Sequence, residues 1–95
     1  MKLIEVAKTR DDVVEIKYYL AIPDTEEPTN ALLIAEEKAG DMAFLRILGE
    51  IHIPSIEGEG LSFEPTSPLS QDDLEIASIA CEKLEKMIKK KAKIE

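Results

Sequence analysis

From Ser70 to Lys93 the chain carries the marks of one amphipathic helix, and this limits its fold more than any other segment does. Ser70 is a good N-cap, and Asp73, three positions on, can reach back as the acidic partner of a capping box. Asp72, Asp73 and Glu75 crowd the first turns, while Lys89, Lys90, Lys91 and Lys93 occupy the last ones. That is the order the helix dipole favours. Glu82 with Lys86, and Glu85 with Lys89, add pairs four residues apart in the favourable sense. Leu74, Ala77, Cys81, Leu84 and Ile88 recur at steps of three and four and define an apolar stripe. Ile76, Ala80 and Met87 form a second seam beside it. A helix over 71–93, roughly 30 Å long, needs a sheet to lie on.

The residues before it supply one. Lys2–Lys8 is a short candidate strand, closed by a polar run. Val14, Ile16, Tyr18, Leu20 and Ile22 alternate along Val13–Ile22 until Pro23 stops the segment. A rival reading opens a helix at Thr9–Asp12 and carries it through Ala21, but the alternation favours strand. An acidic, proline-bearing loop spans residues 23–30. Ala31–Glu37 and Met42–Ile53 then read as strands around a Lys38-Ala39-Gly40-Asp41 hairpin loop. Gly49 interrupts the series Ala43, Leu45, Ile47, Ile51, Ile53 and suggests a bulge or close packing. A last short strand is expected at Leu61–Glu64. The mostly short connections suit a meander better than parallel crossovers. The expected fold is α+β: a single domain over 1–95, with a four- or five-stranded antiparallel meander sheet over 2–64 and one C-terminal helix packed on one face.

Composition narrows the function classes. A chain of 95 residues with 44% hydrophobic and 34% charged residues folds as one small domain. A single cysteine rules out an internal disulfide framework. With no signal peptide or membrane-length apolar run, this leads us to expect a cytoplasmic protein and no membrane partner. Plentiful Glu, Lys and Ile beside single Asn, Gln and Cys residues resemble thermophile composition. The net charge of −8 divides into −12 over residues 1–85 and +4 over residues 86–95. Such an acidic body argues against general nucleic-acid binding, which depends on Lys and Arg neutralising phosphates.

Candidate chemistry is thin. His52 shares a strand face with Glu50, so an acid–base pair or a small-ligand site there is geometrically possible. Cys81 falls on the helix stripe, where cysteine usually packs as a small hydrophobe. One histidine and one cysteine exclude the zinc patterns. Acidic pairs such as Glu26-Glu27 lack the spacing of a calcium loop. Glu57-Gly58-Glu59-Gly60 lacks the lysine and hydroxyl of a phosphate loop and reads as a turn. No catalytic residue, cofactor or metal is expected, and the inventory favours a non-enzymatic role.

One helix covers one sheet face, and Tyr19, Phe44 and Leu48 are expected on the other. With Ile76 and Met87 of the second helix seam, they form the expected interface of a self-associating domain or accessory subunit. Two alternatives stand beside it. One is a nucleic-acid-associated factor using Lys89, Lys90, Lys91 and Lys93. The other is a small-ligand or divalent-metal binder around Glu50 and His52.

Overall fold

In a computed structural model, residues 1–10, 12–54 and 60–94 are described, with side chains as far as Ile88. Five strands follow one another: β1 Lys2–Arg10, β2 Val14–Ile22, β3 Asn30–Ala39, β4 Met42–His52 and β5 Ser62–Pro65. The helix α1, Gln71–Ile94, completes the chain. The strands pair antiparallel in chain order as one open sheet. The α+β meander with one C-terminal helix is therefore the fold. Residues 14–22 are strand, and the rival helix over them does not form. Their alternating side chains place Tyr18, Leu20 and Ile22 in the core, which no helical spacing would do.

The β3–β4 turn needs only Gly40 and Asp41, because Ala39 pairs with Met42. Gly40 has φ +60°, the first central position of a type II′ hairpin turn, where glycine is the residue without a steric penalty.

Two bulges reset the strand faces. Glu5 pairs with Tyr19 and Ala7 with Tyr18, so Val6 is the extra residue of β1. Leu33 pairs with Gly49 and Ile34 with Ile47, so Leu48 is the extra residue of β4. The expected single face for Ala43, Leu45, Ile47, Ile51 and Ile53 is thus divided. The bulge turns Leu48 and Ile51 into the core, both fully buried, and leaves Leu45 and Ile47 on the opposite face. Gly49 has its own reason: a Cβ there would come within 2.5 Å of both the Phe63 ring and the Glu64 carbonyl oxygen. Phe63 of β5 lies over the glycine.

The helix packs its Ile76, Ala77, Ala80 and Leu84 onto Tyr18, Leu20, Leu33, Leu48 and Ile51. Both seams read from the sequence merge into one broad buried face, with Met87, Cys81 and Ile88 partly buried against it. Ile76 is core, not interface. Leu74, expected on the core stripe, is instead exposed, because α1 is rotated to bring Asp73 inward.

That rotation is held by a specific contact. The Ser70 hydroxyl accepts from the Asp73 N–H at 3.1 Å, and the Asp73 carboxylate accepts from the Ser70 N–H at 3.4 Å, closing the capping box. The same carboxylate takes both terminal nitrogens of Arg46 on β4, at 3.2 and 3.4 Å. Farther along, the Lys83 ammonium donates to the Glu5 carbonyl of β1 at 3.1 Å. The helix so crosses the sheet from β4 to β1. Burial alone would raise the Asp73 carboxyl, but the hydrogen bonds and charge of Arg46, with the Ser70 bonds, hold it below its ordinary value.

Two outcomes are expected. Gly49→Ala should lower unfolding free energy by about 1–3 kcal/mol in urea titrations, since a packed ring or backbone carbonyl must move. Asp73 has a folded pKa below its unfolded one. Its stabilisation should be complete above an unfolded value of about 4 and lost as pH falls through the lower folded value. In Asp73→Asn that acid-limb loss should shrink, and stability at neutral pH should drop by about 1–2 kcal/mol.

Candidate interaction surface

With α1 on one face, the strand register assembles a second surface on the other. Tyr19, Ile34 and Ile47 stand in one row across β2, β3 and β4. The adjacent row holds Leu3, Ala21 and Leu32, and Leu45 extends the first row on the hairpin side. None of these belongs to the core cluster under the helix. Ile47 is 48% and Leu45 73% exposed, whereas the small Ala21 is buried among its neighbours. Together they make a diagonal apolar band from Leu3 to Leu45. No element of the described chain lies over it.

Charged side chains flank the band on either side. At the hairpin end of β1–β3 the same face carries Lys8, Arg10, Lys17 and Lys38, interspersed with Glu5, Glu15 and Glu36. Lys8 reaches Glu15 at 2.8 Å and Lys38 reaches Glu36 at 3.5 Å. At the opposite corner, on β4 and β5, stand Glu50, His52 and Glu64. His52 Nε2 lies 3.0 Å from Glu64 and its Nδ1 3.9 Å from Glu50. Glu50 also accepts from the Asn30 amide at 2.9 Å. The pairing of His52 with Glu50 matches the strand reading, and Glu64 was missed because it arrives from β5. All these side chains are solvent-accessible, and no nucleophile sits among them.

The interface residues expected from the sequence do not come together. Tyr19 is on the bare face. Leu48 is fully buried in the core, a correction that follows from the bulge. Ile76 is also core, and Met87 is partly buried against it. Phe44 pairs with Glu37 on the helix side of the sheet, past the start of α1, and is 53% exposed. Lys89, Lys90, Lys91 and Lys93 have side chains outside the described residues, as does the Glu57–Glu59 segment. Leu3, Leu32, Ile34, Leu45 and Ile47 carry the surface instead. The signal for them lay in Ala31–Ala35, a run apolar at every position, which marks a strand with apolar side chains on both faces.

The helix side holds a shallow groove of about 790 Å³ between Val14, Ile16 and Tyr18 of β2 and Asp72, Asp73 and Glu75 of α1. Burial, then the charge of Asp73, pushes the Tyr18 hydroxyl pKa up. The Cys81 thiol is likewise raised, by burial and then by Glu85, which leaves it protonated and a poor nucleophile. Among the described residues no three His, Cys, Asp or Glu side chains converge to hold a metal ion. No helix there is long and apolar enough to cross a membrane.

The sheet edges are poor docking sites. β5 has only four residues and ends in Pro65, and β1 is bulged at Val6 and carries Lys2, Lys8 and Arg10. Short, bulged and lysine-bearing edges discourage strand addition. No family model, curated protein or solved structure matches the chain.

Two leucines three positions apart separate the faces. Leu48→Ala should cost about 2–5 kcal/mol in urea unfolding, the range for a fully buried leucine. Leu45→Glu should cost less than about 1 kcal/mol at low protein concentration.

Proposed function

We propose that this protein is a non-enzymatic interaction domain that docks through the bare face of its sheet, self-associating or serving as an accessory subunit. The observation that carries this reading is the band Leu3–Tyr19–Leu32–Ile34–Ile47–Leu45, a contiguous apolar surface rimmed by charge. Scattered apolar residues are normal on any surface, but a contiguous patch marks a contact site. A fold this small has little core to spare, so residues placed on the uncovered face serve something other than its own packing. The blunted edges direct partners to the face. A reducing cytoplasm suits a chain with one partly buried, unactivated cysteine.

A photo-crosslinking side chain at position 45 tests this in cells that make the protein naturally, with position 78 on the outer helix surface as control. Position 45 should yield discrete protein adducts and position 78 none. Absence of adducts from position 45 would contradict the reading.

A further inference from the structure

Resting on that reading, we infer that the occupant of the bare face is a second copy of this chain. The two copies meet face to face across a two-fold axis that runs along the Leu3–Leu45 diagonal. The inference comes from how charge is distributed about the band. The corner holding Lys8, Arg10, Lys17 and Lys38, with Glu5, Glu15 and Glu36 among them, lies on one side of the diagonal, and the corner holding Glu50 and Glu64 lies on the other. The turn carboxylates Asp12 and Asp41 lie past the strand ends.

An isologous interface must be complementary to itself. For two sheets packed face to face, the axis lies in the plane between them, and its direction decides what meets what. An axis along the strands would set Lys17 over Leu45 of the other copy. An axis across the strands would set Lys17 over Ala21. Neither brings the basic side chains onto Glu50 or Glu64.

The diagonal axis sets the apolar band on itself and exchanges the two corners. On a grid of strands about 4.8 Å apart, with same-face residues about 6.8 Å apart along each strand, Lys8 then falls over Glu50 of the other copy. Arg10 falls over Glu64, and Lys17 and Glu36 fall on either side of Ile47. The same grid inclines the diagonal about 45° to the strands, so the strands of the two sheets cross at about 90°. That is one of the two preferred classes of sheet packing. The helices end up on the outside.

The size is also adequate. A face of four strands contributing about seven residues each, with the shorter β5 beside them, presents roughly 500–600 Å² per copy. The total of about 1,000–1,200 Å² is at the lower end of specific interfaces. Such an interface forms a reversible dimer whose pairing depends on charge as well as apolar contact.

The test uses two variants of the full chain, Lys8→Glu/Arg10→Glu and Glu50→Lys/Glu64→Lys, analysed by sedimentation equilibrium. Thermal unfolding of each first establishes that it is folded. The wild type should dimerise, with association weakening as salt is raised. Each variant alone should bring like charges together and associate at least about tenfold more weakly. An equal mixture of the two should recover association at the wild-type level, because each corner again meets its opposite.

A wild type that stays monomeric at high micromolar concentration overturns the inference, as does a mixture that associates no better than either variant alone. Adducts from position 45 that contain a different protein and no second copy also overturn it, while leaving the docking reading intact. Absence of any adduct removes both.

Discussion

One helix cannot cover both faces of a five-stranded sheet, and in this protein the capping carboxylate of Asp73 fixes which face it covers. The helix is about 10 Å wide with its side chains, and the sheet spans about 20 Å across its strands. Asp73 joins three things at once: the Ser70 cap, the start of α1 and Arg46 of β4. It is the buried charged residue of the described chain. Its desolvation is offset by the guanidinium and by two capping bonds, the condition under which a buried charge is tolerated. Because Arg46 points to the helix side, Leu45 and Ile47 on either side of it must point the other way.

The bulge at Leu48 is the second determinant. Without it, strict alternation would carry Ile47 and Ile51 to the same face, and the sheet would have to expose both or bury both. The extra residue lets β4 send apolar side chains to two surfaces in succession: Leu45 and Ile47 to the bare face, then Leu48 and Ile51 to the core. Gly49 beside the bulge allows Phe63 to close over the strand end, so that β5, only four residues long, still has a packing anchor. The bulge in β1 does the same for Val6 and Ala7, both of which pack toward the core.

These devices explain what was legible in the residues and what was not. The helix, its cap, the β2 alternation, the Gly40 turn and the antiparallel order each rest on local chemistry within a few positions, and all were readable. The interface was only partly so. Tyr19 follows from the alternation of β2, which has no bulge. Phe44 and Leu48 were misplaced because a bulge changes parity without changing composition, and Gly49 marks its neighbourhood rather than its position. Ile76 was misplaced because a helix on a sheet buries a broader stripe than a strict three-four repeat suggests. The Arg46–Asp73 contact and the approach of Glu64 to His52 join elements brought together only by the fold, so no spacing announces them.

The resulting molecule has one face stabilised by its helix and a second, diagonally apolar and flanked by charge, that the described residues leave bare. We propose that contact with another copy occupies this second face. Isotope-filtered NMR on a mixture of methyl-labelled and unlabelled protein tests it most directly. Intermolecular cross-peaks are expected from the Ile34 and Ile47 methyl groups, with none from Ile51 or Ile76. A mixture in which Ile34 and Ile47 show intramolecular contacts alone would contradict the account.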